Sequence, residues 1–237
     1  MNKPSLRWTQ AAAWLTLVTA GSATQANLVT NGSFESTTAT ITATMTPTNV
    51  TAWANSDFGE AIVLPSWFSS GQIFPNVGFA GAVPQSSPDG GNFLISDGNF
   101  HNSPITQTLN GLVTGNFYTL SFYQMLAQDT EPFITIPGPV SGHWQVTLGA
   151  NTQNAAGMTG NGATNTFSNW QQQTMTFQAG NTSELLSFFS VGMGDPPLLG
   201  LDGISLNAVP EPASLGLAVL GFALLGLKYR RERHIAR

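Results

Sequence analysis

Ten carboxylates, two histidines and no lysine or arginine lie between Asn27 and Val209. That inventory sets what chemistry the segment could do. Paired carboxylates hydrolyse glycosidic bonds when one donates a proton and the other attacks or activates water. Candidates for such a pair are Asp57, Glu60, Asp89, Asp97, Asp129, Glu131, Glu184 and Asp195. Asp129 and Glu131 flank a proline-rich stretch, which reads equally as a solvated acidic turn. His101 and His143 are the histidines, and no Gly-x-Ser-x-Gly elbow offers them a nucleophile. Trp53, Trp67, Trp144 and Trp170 could stack on the apolar face of a pyranose. Trp53 and Trp67 lie in irregular segments and are the better platforms. Trp144 and Trp170 sit in or beside alternating stretches, where core packing is expected. The reading is a protein that is not an enzyme, with a secreted glycan-active hydrolase using an acidic pair as the alternative.

The charge layout excludes other classes. All seven basic residues lie near the ends of the sequence: Lys3, Arg7, Lys228, Arg230, Arg231, Arg233 and Arg237. A 183-residue stretch with carboxylates and no base repels phosphate backbones, so nucleic acid is not a partner. Chemistry that needs Lys or Arg on a phosphate is excluded for the same reason. With 41% hydrophobic and 8% charged residues the chain is not a disordered polyelectrolyte. It contains no cysteine, so any fold stands on its core rather than on disulfides.

Two apolar runs bracket that stretch. Residues 1–26 read as a signal peptide: Lys3 and Arg7 precede the apolar Ala11–Ala20, and small residues at Thr24 and Ala26 place cleavage between Ala26 and Asn27. Ala213–Leu227 is an uncharged run of 15 residues followed by the basic cluster. As a helix it covers roughly 22 Å, short of a hydrocarbon core of roughly 30 Å. The basic tail should stay on the cytoplasmic side, leaving 27–208 outside.

Val209-Pro210-Glu211-Pro212, the apolar run and the arginine cluster, in that order, resemble the PEP-CTERM sorting signal of Gram-negative bacteria. The resemblance implies that Pro210, Glu211 and Pro212 are read by an exosortase, a membrane-embedded transpeptidase-like enzyme. It also implies an inner-membrane-anchored precursor whose product passes to the cell surface or the exopolysaccharide matrix. Residues 209–237 form that signal, and it is silent on what the cargo does.

Between the ends, strand periodicity dominates. Tyr118, Leu120 and Phe122 share one face, with Thr119 and Ser121 on the other. Trp144, Val146 and Leu148 alternate with polar residues, as do Met175 and Phe177, and Ile204 and Leu206. Leu185, Phe189 and Val191 share one parity. Asn27–Thr30, Gln72–Phe74, Asn92–Ser96 and Ile105–Leu109 are shorter candidates, and residues 127–142 read as a long loop. Short strands divided by Gly, Asn and Pro predict an all-β, antiparallel β-sandwich over 27–208, most simply a jelly roll.

Asn31-Gly32-Ser33-Phe34-Glu35, Gln107-Thr108-Leu109, Tyr118–Phe122 and Leu201-Asp202-Gly203-Ile204 resemble segments of galactose-binding-like or carbohydrate-binding-module-like jelly rolls. Gly203 stands where that pattern has a second Asp. The resemblance implies a structural Ca²⁺ between the first and last strands, held by Glu35 and Asp202, and polysaccharide as a partner. Glu35 reads equally as a solvated strand end. It gives no account of residues 37–51, which hold eight Thr. They read as a flexible or edge-strand insertion.

Overall fold

A computed structural model describes residues 26–38, 49–55, 61–65, 71–74, 77–79, 87–99, 102–128, 139–160, 168–194 and 197–210, with Gly221, Leu224 and Leu225. The chain divides into two compact units, one formed by Gln25–Val209 and the other by Met1–Thr24 with Pro210–Arg237.

The first unit is built of twelve strands: β1 (Ala61–Leu64), β2 (Gly71–Phe74), β3 (Val77–Phe79), β4 (Phe93–Asp97), β5 (Ile105–Asn110), β6 (Phe117–Gln128), β7 (Ser141–Leu148), β8 (Asn151–Asn154), β9 (Met158–Thr159), β10 (Gln171–Gln178), β11 (Ser183–Met193) and β12 (Pro197–Ala208). One sheet runs β1-β4-β12-β6-β10 and the other β5-β11-β7-β8, with β9 on β7; β2 and β3 form a hairpin of their own. Every pairing is antiparallel. From β4 to β7 and again from β10 to β12 the chain changes sheet at each strand, the crossing habit of a jelly roll.

Alternation explains the packing. Tyr118, Leu120 and Phe122 of β6 face Trp144, Val146 and Leu148 of β7 and Leu186 and Phe188 of β11 across one buried cluster. Phe122 and Phe188 meet edge-on at 5.2 Å between centroids, and Trp144 meets Phe188 at 6.2 Å. The indole Nε1 of Trp144 donates to Gly200 O at 3.0 Å, tying the two sheets together. Edge-to-face rings and a satisfied indole are what a buried aromatic centre requires.

The first sheet is apolar on its other face too. Ile62, Leu64, Phe93, Ile95, Met125, Ala127 and Leu198 form a second cluster, with Trp170 against it. Both faces of β4 are therefore buried, and its five residues show no alternation.

The sequence departs from this fold at a few points. Asn27–Thr30 forms no strand. Leu28 donates to Leu206 O at 3.0 Å, and the Gln107 amide clasps Thr30 through two bonds. The expected loop 127–142 is shorter at its ends, because β6 continues to Gln128 and β7 starts at Ser141. The signal segment lies outside the described residues, as does most of Ala213–Leu227, in which Gly221, Leu224 and Leu225 are helical. Among the described residues no helix is long and apolar enough to cross a membrane.

Candidate functional site

The first place to look is the seam where the opening segment meets β12. Asn31 folds the chain back on itself: its Oδ1 accepts from Ser36 N at 2.9 Å and its Nδ2 donates to Ser36 O and Thr51 O, each at 3.1 Å. This loop holds Phe34 at φ 54°, a left-handed conformation that bulky residues rarely adopt. The Phe34 ring is the anchor that holds it there, buried 5.6 Å from Trp53. Glu35 is thereby set over Gly91, and its Oε1 accepts from Asn92 N at 2.5 Å. Gly91 sits at φ +69°, and a Cβ there would stand 1.8 Å from that oxygen.

Asp202 lies beneath, at 0% exposure. Ser87 Oγ donates to its Oδ2, while its Oδ1 is buried with no partner. Burial pushes the Asp202 carboxyl from 3.8 up to about 7, and the charges of Asp89 and Glu35 push the same way. The Ser87 hydroxyl and the Gly203 amide pull against them. The structure thus brings Glu35 and Asp202 into one neighbourhood and adds Asp89, whose Oδ2 accepts from Ser33 Oγ. Ser87 and Asp89 sit on a Ser-Pro-Asp-Gly turn closed by Gly90 N donating to Ser87 O at 2.9 Å. That tetrapeptide signals a turn from sequence, but not which carboxylate it will face.

The glycine that departs from the family pattern also has a physical reason. Register slips between Asp202 and Ser205, a bulge that turns Gly203 to φ +59°. A Cβ there would meet Tyr123 Cδ2 at 2.9 Å and Asp89 Cβ at 3.1 Å. A second Asp would crowd the cluster rather than join it.

A hard cation takes six to eight oxygens, several of them carboxylate. Among the described residues no three His, Asp or Glu side chains converge as a ligand set. What does fit a cation is the orphaned, buried Asp202 Oδ1, an acceptor in need of a positive partner or a proton.

The second place is the outward face of the β5-β11-β7-β8 sheet. Register puts Phe189 beside Gln145, Val191 beside His143 and Ser187 between Thr106 and Thr147. All seven are half-buried, on the side opposite the core. Gln145 Nε2 donates to Asn154 Oδ1 at 3.4 Å, and Thr147 Oγ1 lies 2.9 Å from Thr152 Oγ1. A depression of about 270 Å³ adjoins this face, lined by His143, Val191, Met158, Met193 and neighbouring glycines. The result is a platform of the Phe189 ring and the His143 imidazole among amides and hydroxyls, without a carboxylate, lysine or arginine.

The stacking candidates fare differently. Trp53 is a correction. Its ring is buried against Phe34 and Phe188, its Nε1 donates to Asn31 O at 2.9 Å, and it shows no face to a ligand. Trp67 lies outside the described residues, as do Asp57, Glu60, Asp129, Glu131 and Asp195 and the alternating part of the Thr run. Trp144 is core, as its strand position implies. Glu184 is buried, with Oε1 accepting from Gly180 N and Asn181 N at 2.9 and 3.1 Å. At the ends of the unit, Ala26 and Asn27 are exposed, and Pro210 is the last residue described before the apolar run.

Residues 208–232 match the PEP-CTERM protein-sorting motif. The chain carries that motif, with Pro210, Glu211 and Pro212 at its start. No curated protein sequence matches the chain. Among solved structures it is similar to TmCBM61 in complex with β-1,4-galactotriose, at 13% identity and a TM-score of 0.43, covering 78% of this chain and 99% of that one. It is similar also to the CBM22-1 xylan-binding domain of Paenibacillus barcinonensis Xyn10C, at 14% identity and a TM-score of 0.44, covering 80% and 98%. Against the enzymatically active domain of bacteriophage CBA120 tailspike protein 4 the identity is 11% and the TM-score 0.40, covering 77% of this chain and only 21% of that one. The sandwich itself is defined by its own strand register.

Proposed function

We propose that this chain is an exported precursor, sorted by an exosortase to the cell surface or the extracellular matrix, where its β-sandwich acts as a non-catalytic, polysaccharide-associated component. The observation that carries the sorting is the match of residues 208–232 to the PEP-CTERM protein-sorting motif. Residues 1–26 act as the signal peptide, cut between Ala26 and Asn27. Residues 213–227 act as a short membrane helix, held by the basic tail until Pro210-Glu211-Pro212 is processed. Replacing Glu211 by Gln should leave the uncut form in the membrane fraction. Unchanged processing would refute the sorting.

For polysaccharide the support is the face around Phe189. An apolar ring can meet the C–H face of a sugar while Gln145, Thr147 and Ser187 exchange hydrogen bonds with its hydroxyls, and no carboxylate needs desolvation. Of the carboxylates the hydrolase alternative would draw on, Asp97 and Glu184 are buried and Asp89 is exposed, and the others lie outside the described residues. Calcium belongs to the same reading as a framework ion. Asp202 Oδ1 and Glu35 would hold it, with backbone carbonyls and hydroxyls of the seam completing the shell, and it would supply charge neutralisation rather than chemistry. Thermal unfolding of residues 27–209 with Ca²⁺, with chelator and with a panel of soluble polysaccharides tests both points, since a ligand of the folded state raises the midpoint. A midpoint unmoved by any glycan would leave a purely structural matrix protein.

A further inference from the structure

Three exposed apolar side chains, Val113 at 54%, Phe117 at 51% and Val209 at 42%, lie at the end where β12 stops, while Met193 at 72% and Leu185 at 48% stand on the other sheet. Val209 N donates to Phe117 O at 2.8 Å, one rung beyond the Ala208–Tyr118 pair, so Phe117 and Val209 are cross-strand neighbours on one face. Val113 stands on the β5–β6 turn, pinned by its amide donating to Tyr118 Oη at 2.8 Å. Leu185 belongs to β11 and faces out of the other sheet, its carbonyl accepting from Gly149 N of the β7–β8 turn at 3.0 Å.

The turns of this end are laced into one piece. Leu112 N donates to Thr182 O at 3.1 Å, Gly115 N to Ala179 O at 2.7 Å and Ala179 N to Asn116 O at 3.0 Å. These turns carry no charge: residues 111–116, 149–150 and 179–182 contain no ionisable side chain, and the nearest carboxylates are the buried Glu184 and, beyond Val209, Glu211 of the sorting motif. The other described carboxylates lie back from it. Asp97 pairs with Leu198 at the far end of β12, and the seam of Glu35, Asp89 and Asp202 lies along its middle. Chain length limits how far Val209 can stand from the run that follows it. Only Pro210-Glu211-Pro212 separates Val209 from the apolar run that starts at Ala213. Four residues reach at most about 14 Å when extended.

We propose that this apolar tip is a lipid-contact surface. In the precursor it rests on the outer leaflet of the membrane that holds residues 213–227, which is the anchor reading given above. Val113, Phe117 and Val209 enter the interface, where such side chains gain by leaving water. An acidic domain without a single base approaches an anionic surface at least cost through its uncharged end. The contact seats the sorting motif at the membrane surface, the depth at which a membrane-embedded enzyme would meet it. Cleavage then frees the tip with the product.

The chain has no cysteine, so single labels report cleanly. Full-length Val113→Cys, Phe117→Cys, Pro88→Cys and Leu220→Cys, each carrying an environment-sensitive dye, are reconstituted in phosphatidylethanolamine and phosphatidylglycerol vesicles doped with doxyl-labelled lipid. The expected result is blue-shifted emission and lost intensity for labels at 113, 117 and 220, with the exposed turn label at 88 unquenched. Quenching at 220 with labels at 113 and 117 as wet as that at 88 overturns the tip contact and leaves the anchor intact. A label at 220 that escapes quenching overturns the anchor reading and the contact with it.

Discussion

Ser87 donates its hydroxyl to Asp202 Oδ2 across 115 positions of sequence, and the other oxygen of that carboxylate is buried with no partner. A carboxylate left in this state is stabilised by a proton or a cation. Because the folded value of about 7 lies above 3.8, the native state holds more protons than the unfolded chain between those values. Stability in chelator should therefore fall as pH rises from about 4 to 7 and level off above, by an amount on the order of 4 kcal/mol at 1.36 kcal/mol per unit. Urea midpoints across that range check the slope. Asp202→Asn should flatten it, and so should Ca²⁺, which takes the place of the proton.

Gly91 lends its bare backbone to Glu35. Gly91→Ala would drive a Cβ into the Glu35 carboxylate and strain the residue at φ +69°. The expected loss is about 1–3 kcal/mol, together with any Ca²⁺-dependent rise in melting temperature. Glu35→Gln should abolish the Ca²⁺ effect with a smaller loss of stability, since Glu35 is exposed.

Trp144 joins the sheets through its bond to Gly200 O. Trp144→Phe keeps most of the ring and removes the indole bond to Gly200 O, at a cost of about 0.5–1.5 kcal/mol in equilibrium unfolding. Gln107→Ala should instead act locally, releasing both bonds to Thr30 and speeding amide exchange at Thr30 with a smaller global change.

Phe189 and Trp53 separate binding from folding. Phe189→Ala should weaken retention on a polysaccharide column about tenfold, equivalent to roughly 1.4 kcal/mol, with the fold intact. Trp53→Ala should destabilise by about 3–5 kcal/mol, as loss of a core tryptophan does, and retention should fall only as the protein unfolds. Equal affinity in Phe189→Ala would remove this face from the function.

The sorting motif of this protein and the strands of its sandwich were legible in the linear sequence, because both are written in local pattern. A charge, an apolar run and a Pro-Glu-Pro mark a sorting signal without any partner in space, and period-2 alternation marks β6, β7 and β10. Where alternation fails, so does local reading. In β11 apolar residues occupy both parities, and only the sheet opposite decides that Leu186 and Phe188 enter the core while Leu185, Phe189 and Val191 face out. Trp53 sits in an irregular stretch that resembles an exposed loop, yet the left-handed turn at Phe34 folds the opening segment over it. The seam joins Glu35, Ser87, Asp89 and Asp202, which the chain scatters over more than 160 positions. The apolar tip joins Val113, Phe117 and Val209. Burial and register are properties of pairs of segments, and the pairing exists only once the sheets have closed.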